Sequence, residues 1–222
     1  IAGILSDMRY HVQGSDININ SNILRLNKKN IKTFKGHKQE NLKNVNLIVY
    51  STAVKKSNVE LTFAKKNKIP SITRAEILSQ IVKLKNSIAV SGSHGKTTTT
   101  SLISSILNAA KMNPTVINGG IINQFGTNTR LGSGKWMVVE ADESDGTFVK
   151  LPSTIAVVTN IDKEHLDFYK NYNNLLAQFK KFITQVPFYG FAIVCIDDPS
   201  IRKIINKITT ANIITYGETE NS

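Results

Sequence analysis

Apolar residues in this chain fall into short runs divided by polar turns, and the runs alternate with stretches whose apolar positions recur every three or four residues. In the first part, segments 10–16 (YHVQGSD), 31–34 (IKTF), 46–51 (NLIVYS) and 69–72 (IPSI) predict short strands, the first ending in a turn. Helical spacing predicts helices at 59–68 (VELTFAKKNK) and, more clearly, at 73–85 (TRAEILSQIVKLK). Alternation of this kind builds βαβ units and a parallel sheet, because a crossover helix returns the chain to its original direction.

Near Asn86 the character changes. Residues 86–93 (NSIAVSGS) predict a buried strand running into a glycine turn, followed by a helix over 96–111 (KTTTTSLISSILNAAK). Further apolar strands are expected at 114–118 (PTVIN), 136–142 (WMVVEAD) and 154–160 (TIAVVTN). A helix around 173–183, a strand at 191–197 (FAIVCID), a short helix after Pro199 and a last strand at 212–217 (NIITYG) complete the pattern. The expected division is therefore into domains 1–86 and 87–222, with no internal repeat and no low-complexity linker.

Composition agrees with a folded α/β chain. Of the 222 residues 41% are hydrophobic, enough for one large domain or two small ones, and no apolar run nears the ~20 residues of a membrane helix. The lone cysteine, Cys195, sits in an apolar run, which suits a reducing compartment and predicts a cytoplasmic protein without membrane insertion. Charge sharpens the domain boundary: residues 1–86 hold 16 basic and 5 acidic residues, whereas 87–222 hold 12 and 11. The net charge of +12 raises the question of a polyanionic ligand, but the lysines are scattered and not interleaved with aromatics, so a solvated surface is the reading preferred to nucleic-acid binding.

Candidate chemistry concentrates in three segments of the second part. Gly92-Ser93-His94-Gly95-Lys96-Thr97-Thr98 lies between a strand and a helix, the setting of a phosphate loop. Glycines let successive N–H groups turn toward phosphate oxygens, the helix adds its positive end, Lys96 supplies a mobile cation and the Thr97 hydroxyl a magnesium ligand. The general G-x-x-x-x-G-K-[ST] pattern is incomplete, since Val90 stands at its first glycine. Two further segments, 140–145 (EADESD) and 159–167 (TNIDKEHLD), end strands on the same side of the expected sheet. Carboxylates there can hold Mg²⁺ against bound phosphates. Which of Asp142, Glu143 and Asp145 would touch metal and which only solvent is open at this level.

Taken together these strings resemble the Mur ligase family, most of all its alanine-adding member. The resemblance is carried by 10–16, 51–61 (STAVKKSNVEL), 73–78 (TRAEIL), 88–100 (IAVSGSHGKTTTT), 113–120 (NPTVINGG), 127–132 (TNTRLG), 140–148 (EADESDGTF), 158–169 (VTNIDKEHLDFY) and 187–190 (PFYG). Ser93 stands where the family typically has Thr, and Glu164 where it commonly has Asp. The resemblance implies an incomplete Rossmann-like N-terminal domain followed by a P-loop-type parallel-sheet ATPase domain. It also implies ATP-driven activation of the carboxylate of UDP-N-acetylmuramic acid as an acyl phosphate, then attack by L-alanine. In that scheme Lys96 stabilises the transferred phosphate, Thr97 and Glu140 hold a first Mg²⁺, and His165 helps to hold a second. Ser15, Asp16 and Ser51 would lie under the UDP-sugar, and Asn118, Asn128 and Arg130 would reach its sugar, although Ser15 and Asp16 suit plain turn positions equally well.

The family also begins with a strand and a glycine-rich turn and ends with a third domain. By that comparison the chain starts inside a helix and stops within the central domain, so the isolated 222 residues are expected to show little ligase activity; robust alanine- and UDP-sugar-dependent phosphate release would overturn this. Three other readings compete: a ligase recycling UDP-muramate with a ready-made tripeptide, a non-catalytic nucleotide-binding remnant, and a nucleic-acid motor. The last predicts salt-sensitive DNA binding and lacks a second motor domain. Oligomeric state is not legible.

Overall fold

A computed structural model describes residues 1–122 and 127–218. By contacts the chain divides into two compact units, Ile1–Leu78 and Ser79–Ser222. The division falls within the helix Arg74–Val82, ahead of the change in sequence character near 85–87.

In the first unit a short helix α1 (Ala2–Asp7) precedes two βαβ units. Strand β1 (Gln13–Asp16) pairs in parallel with β2 (Lys32–Lys35) across helix α2 (Ser21–Lys28). Strand β3 (Ile48–Tyr50) pairs in parallel with β4 (Ser71–Thr73) across helix α3 (Val59–Lys66). Asparagines start both crossover helices: Asn20 Oδ1 accepts from the N–H groups of Asn22 and Ile23, and Asn58 Oδ1 from that of Glu60 at 2.9 Å. Helix α2 was not expected from the sequence. Of its apolar residues only Ile23 is buried, so its apolar stripe is narrow.

The second unit follows α4 (Arg74–Val82). It is built on a seven-stranded sheet made of β5 (Asn86–Ser91), β6 (Thr115–Ile122), β7 (Thr127–Arg130), β8 (Trp136–Glu140), β9 (Ile155–Val158), β10 (Phe191–Cys195) and β11 (Ile213–Tyr216), in the spatial order β11-β10-β9-β5-β8-β6-β7. Every pairing among the described residues is parallel except β6–β7. The central strands read as continuous apolar runs because both faces are covered, and Ala89, Val90, Val138, Val139, Ala156 and Val158 are fully buried. Helix α5 (Lys96–Ala109) packs Ile103 and Leu107 against Ile88, Val90, Val138 and Val157. Helix α7 (Tyr172–Thr184), preceded by the one-turn α6 (Leu166–Tyr169), buries Phe179 and Phe182 against Phe148, with ring centroids 5.1 and 5.2 Å from it. Helix α8 (Pro199–Ile205) starts at Asp198, with proline in its first turn.

β5 lies at the centre, with β8 on one side and β9 on the other. Its carboxyl end is therefore a point where successive crossovers diverge, and a crevice for ligands forms at such points. No helix among the described residues is long and apolar enough to cross a membrane.

Candidate functional site

Three neighbouring strands of the second unit, β9, β5 and β8, deliver the three chemical segments to one edge. After β5 the chain turns at Gly92, whose φ of 135° lies outside the range of ordinary side chains. A Cβ at Gly92 would sit 2.1 Å from Thr159 Oγ1, so only glycine lets the loop lie this close to the segment leaving β9. That segment clasps the loop. Ser93 N–H donates to Asn160 O at 3.0 Å, His94 N–H to Asn160 Oδ1 at 2.8 Å, and Thr159 Oγ1 to His94 O at 2.7 Å. Asp162 N–H donates to Ser93 Oγ at 2.8 Å, so the hydroxyl at position 93 is used structurally.

Gly95, at φ 80°, begins α5 without a capping side chain. The first N–H groups of a 14-residue helix are thus open toward the loop, an arrangement suited to a phosphate. Lys96 folds back over it, donating from Nζ to Gly92 O (2.6 Å), Ser93 O (3.0 Å) and Glu143 Oε1 (2.9 Å). These contacts occupy all three ammonium protons and fix Nζ over the loop.

Glu143 is 1% exposed, and its Oε2 has no hydrogen-bond partner. Burial pushes its carboxyl above the ordinary value, against the opposing pull of the hydrogen bond from Lys96. Its backbone carbonyl accepts from the Tyr169 hydroxyl, whose own pKa burial pushes up. The segment carrying Glu143 is thereby tied to α6.

Thr97 and Glu140 meet beside the loop: Thr97 Oγ1 donates to Glu140 Oε2 at 2.9 Å, and Gly119 N–H donates to the same oxygen at 2.8 Å. A Cβ at Gly119 would approach Glu140 Oε1 to 2.7 Å, so glycine there leaves the carboxylate its place. A hydroxyl and a carboxylate at a phosphate loop are hard oxygen donors that fit Mg²⁺. His165, in left-handed backbone at φ 54°, places Nε2 3.6 Å from Glu143 Oε1. Glu143, Glu164 and His165 each offer a ligand atom within 4.8 Å of the others, a set that fits a divalent cation. On the rim, exposed His94 pairs through Nε2 with Asp162 Oδ2 at 2.9 Å.

The remaining candidates separate. Buried Asn118 donates from Nδ2 to Ser101 Oγ (3.2 Å) and its Oδ1 has no partner, so it lies beside the first turns of α5, near Thr97. Arg130 donates to Asn108 Oδ1 (2.9 Å) and Asn113 Oδ1 (2.7 Å), at the far end of α5, roughly 18 Å along the helix axis from Lys96. Asn128 is half-buried on β7, and Thr98 is exposed on α5. In the first unit, Ser15, Asp16 and Ser51 line one cleft of 810 Å³. Asp16 Oδ1 accepts from Asn18 N–H and Ser51 Oγ from Ala53 N–H, as turn residues do. No sequence pattern assigns a role to Asn160 or Thr159, nor a specific one to Glu143; only their place after strand ends points to them.

A glycine turn clasped between two strand ends, an uncapped helix start, a fixed lysine and a hydroxyl–carboxylate pair give the second unit the build of a phosphate-loop α/β domain. The comparisons narrow this. Residues 90–222 match the Mur ligase middle domain and residues 1–86 the Mur ligase family catalytic domain, so the chain belongs to the Mur ligase family. A UDP-N-acetylmuramate–L-alanine ligase of Brucella anthropi is 51% identical over 98% of this chain and 47% of its own length. The chain thus spans about half the length of the curated relatives it matches. The crystal structure of UDP-N-acetylmuramate–alanine ligase MurC from Thermotoga maritima superposes with a TM-score of 0.85 at 26% identity, covering 99% of this chain and 49% of that one. The UDP-N-acetylmuramate:L-alanyl-gamma-D-glutamyl-meso-diaminopimelate ligase of Neisseria meningitides shares the fold, with a TM-score of 0.87 at 23% identity over 96% of this chain and 72% of that one.

Proposed function

We propose that this chain is the part of an ATP-dependent ligase that binds UDP-N-acetylmuramic acid and ATP, and that the whole protein joins L-alanine to that sugar in peptidoglycan precursor synthesis, in the cytoplasm. The observation that carries the reading is the convergence of Lys96, Thr97 and Glu140 at the phosphate loop of a chain 51% identical to alanine-adding ligases.

Amide formation needs an activated carboxyl, and transfer of the γ-phosphoryl group of ATP to the muramate carboxylate supplies one as an acyl phosphate. The α-amine of L-alanine then attacks the acyl carbon, and phosphate leaves with the electron pair of the broken C–O bond. Catalysis of such transfer is mainly positioning and charge neutralisation. Within the loop Gly92 to Thr98, the N–H groups of Gly95 to Thr98 at the uncapped start of α5 would cradle the phosphates, those of Ser93 and His94 being given to Asn160, and Lys96, held over the loop, would follow charge onto the transferred group. Thr97 and Glu140 would hold one Mg²⁺ and His165, with Glu143 and Glu164, a second; bound there, Mg²⁺ neutralises phosphate charge. The cleft of the first unit, with Ser15, Asp16 and Ser51, would take the UDP moiety, and Asn118 and Asn128 are proposed to face the sugar.

The test is phosphate release by the full-length protein with ATP, Mg²⁺, UDP-N-acetylmuramic acid and either L-alanine or the tripeptide. Release with L-alanine, lowered at least a hundredfold by Lys96→Ala, supports the reading. Release with the tripeptide alone would move the protein to the recycling class.

A further inference from the structure

A buried carboxylate in the first unit lies outside the ligase chemistry described above. Glu60, on the first turn of α3, is 9% exposed and faces four groups from two segments, the end of β1 and the stretch 37–41. Oε2 accepts from Ser15 Oγ at 2.7 Å and lies 3.2 Å from His37 Nδ1. Oε1 accepts from Asn41 Nδ2 at 2.7 Å and from Lys38 N–H at 3.3 Å. Ser15 Oγ is also 3.0 Å from His37 Nδ1. Ser15, His37, Asn41 and Glu60 all line the 810 Å³ cleft that contains Asp16 and Ser51.

Proton counting places a proton on Nδ1 of the ring. An ionised carboxylate only accepts, and a serine hydroxyl has a single proton. The 2.7 Å contact commits the Ser15 proton to Glu60, so the contact between Ser15 Oγ and His37 Nδ1 is a hydrogen bond only if Nδ1 donates. The contact between Nδ1 and Glu60 Oε2 requires the same. In a neutral imidazole with Nδ1 protonated, Nε2 carries a lone pair. Nε2 has no hydrogen-bond partner among the described residues.

We propose that Glu60 is a positioning residue that sets the tautomer of His37, so that His37 Nε2 offers the cleft a hydrogen-bond acceptor and selects a ligand carrying a donor there. On the reading that the cleft takes a uridine diphosphate, on which this inference rests, the donor is the uracil imide N–H or a ribose hydroxyl. Cytosine, whose ring nitrogen at the imide position is itself an acceptor, is disfavoured in the first case.

Nitrogen-15 spectra of the full-length protein, followed upward in pH until the ring signals stop changing, read the tautomer without any ligand. Neutral His37 is expected with Nδ1 protonated and Nε2 bare in the parent, and as a tautomer mixture in Glu60→Gln, whose amide can donate to the ring. A parent ring protonated at Nε2 overturns the proposal. The ligand arm uses UDP titrated into the parent and into His37→Asn, whose amide N–H replaces the Nδ1 donor and leaves the Glu60 cluster paired while removing Nε2. UDP is expected to bind His37→Asn about tenfold more weakly, the loss of one good hydrogen bond; equal affinity overturns the proposal. UDP analogues methylated at the imide nitrogen, or lacking the 2′- or 3′-hydroxyl, identify the donor: a loss confined to one supports the inference, and parent-like binding of all three overturns it. If the parent binds no UDP while its ring shows the bare Nε2, it is the assignment of the cleft to a uridine nucleotide that fails.

Discussion

Position 92 shows how a single hydrogen in place of a methyl group sets the geometry of the loop that follows β5. Gly92 and Gly95 both hold positive φ, but a Cβ at Gly92 meets Thr159 Oγ1 at 2.1 Å, whereas one at Gly95 meets nothing within 4 Å. Gly95→Ala therefore carries only the backbone term, about 1 kcal/mol. Gly92→Ala adds a clash at the contact that clasps the loop, and a loss of about 3 kcal/mol or more is expected with it. Urea unfolding of both variants checks this; equal losses would show that the closeness of Thr159 does not matter. A second expectation follows from Glu143. Its carboxyl holds a proton more tightly in the folded state, so it favours folding below its ordinary value of 4.5 and loses that contribution as pH rises through its raised folded pKa. Glu143→Gln should flatten the fall in Tm over that interval, and melts from pH 4 upward with an unchanged slope would refute it. At this scale the sequence was most legible where function is local. Gly92 to Thr98 announce themselves by spacing, whereas Ser15, His37 and Glu60 are brought together across 22 and 45 positions and leave no pattern to read.

Elements were legible in proportion to how fully they are buried. β5, β8 and β9 stood out as unbroken apolar runs because both faces of the sheet are covered. β7 was missed because Thr127-Asn128-Thr129-Arg130 has no apolar alternation; it is an edge strand held by antiparallel pairing to β6. α6 is a single turn, too short for any period to show. Element ends matter as much as interiors here. Asp198 Oδ1 caps α8 through the N–H groups of Ser200 and Ile201, both at 2.8 Å, while its Oδ2 accepts from Ile161 N–H at 3.0 Å. One carboxylate thus starts a helix and anchors the loop that carries Asp162, Glu164 and His165. Asp198→Ala should cost about 1–2 kcal/mol, a fall in Tm of several degrees. Asp198→Asn keeps one oxygen for the cap but presents an N–H to Ile161 N–H, so it should retain most of the cap while loosening the loop. Exchange of the Ile161 amide proton tests this: faster exchange in both variants, with α8 amides exposed only in Asp198→Ala, is the expected pattern. Protection of Ile161 in Asp198→Asn equal to the parent would show that the loop is held otherwise.

Across the molecule the two units differ in how much core stands behind their sheets. The first unit rests on a few buried apolar residues (Ile4, Ile23, Ile31, Ala64 and Ile77) under two separate two-stranded sheets. The second buries the central strands of a seven-stranded sheet together with Phe148, Phe179 and Phe182. Opening energies follow such differences, because a strand with one neighbour and few apolar contacts separates at less cost than one inside a covered sheet. Amides of β5, β8 and β9 should therefore exchange most slowly, and those of β1 to β4 faster by two orders of magnitude or more. If the ligands divide as proposed, each should protect its own unit by mass action. ATP with Mg²⁺ should slow exchange from Gly92 to Thr99, and UDP should slow it around Ser15 and from Gly36 to Asn41, each leaving the other unit's segment unchanged. Hydrogen exchange followed by mass spectrometry resolves these peptides. If UDP protected only the phosphate loop, the cleft of the first unit would lose its assigned role, whereas uniform exchange across both units would show that the smaller core is no weaker than the larger.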